Sequence, residues 1–207
     1  LKWTLVDYTC PGIDLAIKSK CALEQQSSNI LILANHGLVV GSETYEEILS
    51  LTQELCNRFK QPKRSFSISY DRKIADYEKK INMKFASNQV IHTLALDEIS
   101  YKYCNIKSTI LYPDQAVFLG PKLNCINQKN NPNYDFNKNP FDYVIIYNIG
   151  VFINNDAKPE IETMLKCHSE VLLRVPLKKE LAYLSSNQVA SLVGWEAEIY
   201  RQNLKRY

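Results

Sequence analysis

The chain has 207 residues, 45% of them hydrophobic, and a formal net charge of +3 at pH 7. That length supports a substantial core and one large or two small domains. No apolar run reaches the roughly 18–20 residues of a membrane helix, and the short basic cluster Lys60-Gln61-Pro62-Lys63-Arg64 lacks the interleaved aromatics of a nucleic-acid platform, so neither a membrane nor a nucleic acid is an expected partner.

Residues 1–9 alternate and predict a strand that runs into Pro11-Gly12. From Ile13 to about Gln25, the residues Ile13, Ala16, Ile17 and Ala22 mark one helical face. Ser27-Ser28-Asn29 reads as a turn, and the apolar stretch Ile30 to Ala34 is short enough for a buried strand. Gly37 to Gly41 predicts a second strand. Thr44, with Glu47 three residues on, fits a capping box opening a helix whose face is Ile48, Leu51, Leu55 and Phe59, and Pro62 stops it. The carboxylates Glu46 and Glu47 then complement the macrodipole of the first turn. Residues 62–72 read as a hinge with an extended piece from Ser65 to Tyr70, which divides the chain into 1–65 and 66–207.

Beyond the hinge the pattern predicts a helix over 85–103, then two strand-like pieces around a Pro113-Asp114 turn, with Gln115 as a turn residue. Residues 125–141, rich in Asn, Lys and Pro, predict an exposed loop. Tyr143 to Asn154 predicts a hairpin turning at Asn148-Ile149-Gly150. Two helices close the chain. One covers about 158–173, and the other starts near Ser185 with Gln188 three residues on. Trp195 and Tyr200 read as anchors of that last helix. No internal repeat is visible.

Most chemical motifs are absent. There is no G-x-G-x-x-G, no Walker A pattern and no G-x-S-x-G elbow, and Gly120-Pro121-Lys122 is too short to cradle a phosphate. Cys167 and His168 are adjacent on a predicted helix, so their side chains diverge and cannot pair as nucleophile and base. The six cysteines form no C-x-x-C pair, and a chain this long needs no disulfide staples, so reduced thiols in a cytoplasm are expected.

His36 is one of only three histidines, and it stands between two predicted core strands. A neutral imidazole on a rigid strand end is a good ligand for a divalent metal, and Gly37, lacking a Cβ, lets a metal or substrate approach the backbone. One ligand does not make a site, and the residues alone favour a histidine that merely bonds a neighbouring carbonyl. Tyr8 reads as a packing aromatic or the wall of a pocket near His36. Asn35 either orients the loop or contacts substrate.

The stretches Tyr8-Thr9-Cys10-Pro11-Gly12 and Ile30 to Leu49, with the predicted helix between them, resemble the second half of a class II aldolase/adducin domain. In that family a Gly opens a helix some two dozen residues before a His-Gly pair, as Gly12 and His36 do here. The elements around Pro113 to Pro121, the second hairpin and the closing helices resemble, more loosely, the C-terminal extension of larger members allied to rhamnulose-phosphate aldolases. Where related chains often have His, this one has Gln115.

The resemblance implies a layered α/β/α domain, partial here, with a mostly antiparallel sheet and a smaller α+β region after it. It makes His36 a ligand to Zn²⁺ or another divalent metal, with Tyr8, Asn35 and Gly37 near the substrate. It implies a sugar phosphate or sugar acid as substrate, enediolate chemistry of the retro-aldol kind, and a homo-oligomer. The family's other two zinc histidines, its general base and its phosphate loops belong upstream of the matched region, and His92 and His168 stand alone in predicted helices. The chain as written therefore lacks most of an active site. Three explanations stay open: a longer protein, a first half supplied by another chain, or a non-catalytic relative with an adducin-like assembly role.

Overall fold

A computed structural model describes residues 1–66, 74–106, 109–129, 134, 136, 141–176, 179–195 and 200. In chain order the elements are β1 (Trp3–Val6), α1 (Ile13–Gln25), β2 (Ile30–Leu33), β3 (Gly37–Val40), α2 (Tyr45–Phe59), α3 (Ile74–Ile81) and β4 (Met83–Phe85). A 3₁₀ turn (Gln89–His92) leads into α4 (Thr93–Leu96), α5 (Glu98–Cys104), α6 (Pro113–Leu119), β5 (Cys125–Ile126), β6 (Tyr143–Ile146), β7 (Gly150–Asn154), α7 (Pro159–Leu172) and α8 (Ser186–Val193). The protein is thus mixed α/β. Among the described residues, no helix is long and apolar enough to cross a membrane.

The chain folds as two units: residues 1–61 with 111–113 and 182–207, and residues 62–110 with 114–181. The first unit holds a sheet of order β1-β2-β3. Strand β1 runs parallel to β2, with Trp3 opposite Ile30, so α1 is the crossover between them. The β2–β3 pair is an antiparallel hairpin with Leu33 opposite Gly37. Thr44 caps α2 by accepting from the Glu47 amide at 3.3 Å. The Glu47 carboxylate accepts instead from Ser42 Oγ, so the expected reciprocal box gives way to a longer loop-to-helix clasp. Ser185 and Gln188 do form both halves of a capping box on α8.

The second unit holds a sheet of order β4-β7-β6-β5, parallel only between β5 and β6. Every residue of β6 is buried. The single helix expected over 85–103 is broken into pieces because two side chains restart it. Asn88 Oδ1 accepts from the Val90 amide at 3.1 Å, and Asp97 Oδ2 accepts from the Ser100 amide at 3.0 Å. Such local bonds compete with a continuous helix. Of the two expected strand pieces around Pro113, the first is irregular over 109–112 and the second is instead α6, because Pro suits a first helical turn, where its missing N–H costs nothing. Gln115 is accordingly no turn residue. It is fully buried and donates from Nε2 to the Thr109 carbonyl at 2.9 Å. The expected loop over 125–141 begins with β5, whose pairing with β6 was not anticipated; most of the rest, like the extended piece predicted from Ser65 to Tyr70 beyond Phe66, lies outside the described residues.

Arg64 ties the second unit together. Its Nη1 donates to the carbonyls of Leu172 and Val175 at 2.8 and 2.7 Å. Its Nη2 reaches Asp97 Oδ2 at 2.7 Å and Ser100 Oγ at 3.1 Å. Burial opposes ionisation of Asp97, but the bonds from Ser100 and Arg64 outweigh it and hold the carboxyl below its usual range. Removing Arg64 would leave the half-buried Asp97 carboxylate without its cation, held only by Ser100, and would take a donor from the carbonyls of Leu172 and Val175. Arg64→Ala is expected to cost about 2–4 kcal/mol, and Arg64→Lys to recover only part of that, since an ammonium lacks the forked donors. Urea denaturation of the three proteins measures both.

His168 is buried in α7, and burial pushes its imidazole down to about 4. An unfolded histidine titrates near roughly 6.5. Between these values the unfolded chain binds more protons, so stability is complete above the upper value and declines as pH falls toward the lower one. His92 is displaced in the same direction, burial outweighing its bond to the Ala86 carbonyl and the field of Glu162. Urea midpoints measured across this window should fall on acidification, and His168→Gln should flatten the slope without abolishing it.

The structure also contains a repeat that the sequence does not display. Both hairpins turn through three residues, Ala34-Asn35-His36 and Tyr147-Asn148-Ile149. Asn35 and Asn148 take φ of 60° and 59°, and Gly37 and Gly150 follow at 131° and 151°. The turn bonds match, His36 N–H to Leu33 and Ile149 N–H to Ile146, each at 3.0 Å. So do the ties to the parallel neighbour, Ala34 N–H to Val6 and Tyr147 N–H to Ile126, each at 2.9 Å. A helix follows each hairpin. Identical residues are too few to show the repeat in sequence, because its content is backbone geometry.

Candidate functional site

The β2–β3 corner begins with a strand that must reverse in three residues. Asn is among the few side chains that tolerate the left-handed φ at position 35, and Gly37 supplies a second positive φ. Asn35 then locks the corner. Its Nδ2 donates to the Leu111 carbonyl at 2.9 Å and to the Ala182 carbonyl at 2.8 Å, which ties two later segments of the same unit to the hairpin.

This corner presents His36 partly buried. Its ring lies nearly parallel to that of Tyr8, with centroids 5.2 Å apart and planes 4° from each other. Nε2 sits 2.8 Å from the Thr9 carbonyl. A carbonyl only accepts, so Nε2 carries a proton, and in the neutral ring the lone pair then lies on Nδ1. The backbone of Tyr8-Thr9 thus fixes both the plane and the tautomer of the ring. Gly37 is open: a Cβ built there meets no atom of the described residues within 4 Å.

Two side chains of this corner, Tyr8 and Cys10, are held in their neutral forms. The Tyr8 hydroxyl is buried without a hydrogen-bond partner among the described residues. Burial, with Cys10 nearby, raises its pKa. Burial and Asp14 raise that of the Cys10 thiol. A thiol held protonated is a poor nucleophile. Gly12 lies against the Trp195 ring, whose nearest atom would stand 3.5 Å from an added Cβ, so Trp195 packs on the turn before α1. Tyr200, also read as an anchor, is 66% exposed.

The structure thus brings Tyr8, Asn35, His36 and Gly37 to one corner. It turns the Nδ2 of Asn35 toward backbone. His92 belongs to the other unit with both ring nitrogens engaged: Nε2 faces the Ala86 carbonyl at 3.0 Å and Nδ1 accepts from the Val151 amide at 3.2 Å. Among the described residues, no group of three or more His, Cys, Asp or Glu could hold a metal ion. His36 Nδ1 fits a single ligand position, but the described residues do not fit a complete zinc shell, which needs four donors with three from protein in a catalytic site. The bond from His36 to a neighbouring carbonyl is the one the residues alone favoured, and the carbonyl is that of Thr9; the Leu111 and Ala182 carbonyls that hold Asn35 were not anticipated. Backbone acceptors carry no side-chain signature, and no spacing rule would have found them.

No family model, curated protein or solved structure matches the chain. The corner must therefore be judged on its own chemistry. Asn35→Ala removes two hydrogen bonds and strains the backbone, while Asn35→Gly removes only the bonds. The expected losses are about 2–3 kcal/mol and about 1–2 kcal/mol respectively, read as shifts in urea midpoint.

Proposed function

We propose that the chain is a portion of a class II aldolase/adducin-type protein of layered α/β/α design, whose intact form is a divalent-metal-dependent enzyme acting on a sugar phosphate or sugar acid. One observation carries this reading. The imidazole of His36 donates its Nε2 proton to a backbone carbonyl, which is how metal-binding histidines are commonly oriented by their outer partners, and this leaves Nδ1 as the coordinating atom. In this reading His36 supplies one ligand, Zn²⁺ being the natural choice for imidazole. Gly37 leaves room beside it, Tyr8 holds the ring plane and Asn35 fixes the corner. A bound metal would supply Lewis-acid polarisation of a substrate oxygen. With one imidazole the chain is no catalyst by itself, and the remaining donors must come from outside the described residues. A homo-oligomer in the cytoplasm fits this reading.

A second reading, a non-catalytic adducin-like assembly module, is favoured by a different observation. Trp3, Leu5, Ile13, Leu38 and Val39 of the first unit are all at least 44% exposed, an apolar display suited to association. There His36 is a satisfied corner residue.

The metal content of the native gene product containing this chain separates the two. Mass spectrometry is expected to find one zinc per chain, lost in His36→Ala while circular dichroism stays unchanged. Metal retained at full stoichiometry after that substitution, or absent from both proteins, would favour the assembly module.

A further inference from the structure

The two hairpins differ in what borders them. In the second unit β4 pairs antiparallel with β7, Phe85 opposite Phe152 and Lys84 opposite Ile153. The Ala86 amide donates to the Val151 carbonyl at 3.0 Å, and the Val151 amide donates to His92 Nδ1 at 3.2 Å. Over Gly150 the rings of Phe85 and His92 stack with centroids 3.8 Å apart. A Cβ at Gly150 would collide with Phe85 and stand 3.2 Å from His92 Nδ1. That glycine thus serves two needs, a positive φ and an empty niche for an aromatic pair.

The hairpin geometry maps Gly37 onto Gly150, Leu38 onto Val151, Val39 onto Phe152 and Val40 onto Ile153. Among the described residues β3 is an edge strand. The bond from Gly41 N–H to the Asn29 carbonyl at 2.9 Å sets the phase of its ladder. Residues 37, 39 and 41 face β2, so the amides and carbonyls of Leu38 and Val40 point outward. Among the described residues, Leu38 has neither of the two partners that Val151 has. The niche over Gly37 is open. Leu38 and Val39 are 44% and 50% exposed, and β3 carries none of the charged, proline or bulged residues by which free edges are commonly blunted.

We propose that the outer edge of β3 is a strand-docking site, and that its occupant is an extended polypeptide segment of the chemistry of Met83-Lys84-Phe85. That segment runs antiparallel to β3, hydrogen-bonds the outward groups of Leu38 and Val40, and lays an aromatic ring over Gly37. The second unit is the reason for committing to this occupant, because the same corner with the same backbone is completed there by such a strand. The proposal stands independently of the metal reading of His36. Main-chain pairing supplies the affinity and the aromatic in its niche the selectivity.

The test uses the 207-residue chain and a synthetic peptide of residues 81–87, followed by amide NMR and hydrogen exchange. Without peptide, the Leu38 and Val40 amides should exchange rapidly while Val39 is protected by its bond to β2. Millimolar peptide should shift and protect Leu38 and Val40. A peptide carrying Phe85→Ala should bind about tenfold more weakly. Val40→Pro in the chain, which removes an outward amide that β2 does not use, should abolish the effect while keeping the hairpin. Four results would overturn the proposal: both amides already protected in the free chain, protection that grows with chain concentration alone, peptide shifts confined to Trp3–Val6, or no shift at millimolar peptide.

Discussion

Both halves of this protein rest on one backbone constraint. A core strand must reverse within three residues while its other neighbour runs parallel, and the chain meets this with an asparagine at positive φ followed two residues later by a glycine at positive φ. Most side chains avoid those conformations by a kcal/mol or more, so X-Asn-x-Gly places the corner and the register together. A slip of one residue would turn Ile30 and Leu31, now buried, to the opposite faces. The fold of each unit follows from this corner: a parallel neighbour on one side and a helix leaving on the other.

The two units use that corner to different ends. In the second, β6 is buried along its whole length, and Met83, Phe152 and Ile149 join one core with Ile146 and Val144. Of the exposed large hydrophobics among the described residues, all but Ile106 belong to the first unit. Helix α1 buries no residue fully, and Ile13 on its apolar stripe is 78% exposed. A unit with so little enclosed surface draws little stabilisation from its own core.

The sequence was most readable where chemistry and period act locally. The apolar run Ile30 to Leu33, the corner at Asn148-Ile149-Gly150 and the capping residues Thr44 and Ser185 each signal their own geometry within four residues. It was least readable where two local preferences competed. Asn88 and Asp97 sit inside an apolar helical period, and their side chains capture backbone amides and restart the helix. Pro113 fits a turn and a helix start equally well, and the buried amide of Gln115 settled on a helix through a carbonyl six residues earlier. At the site, the residue types of Tyr8 and His36 were legible, but their stacking was not, because it depends on β1 lying parallel to β2.

The repeat offers an internal control on His36. The equivalent position in the second unit is Ile149, 8% exposed and part of the apolar core, on the same turn with the same φ values around it. The corner therefore does not need an imidazole to form. What distinguishes the first unit is the neighbourhood: a tyrosine ring parallel to the imidazole, a carbonyl that fixes its tautomer, and empty space over the following glycine. The first corner therefore carries a side chain that the turn does not require, and the Tyr8 ring and the Thr9 carbonyl hold it from two sides.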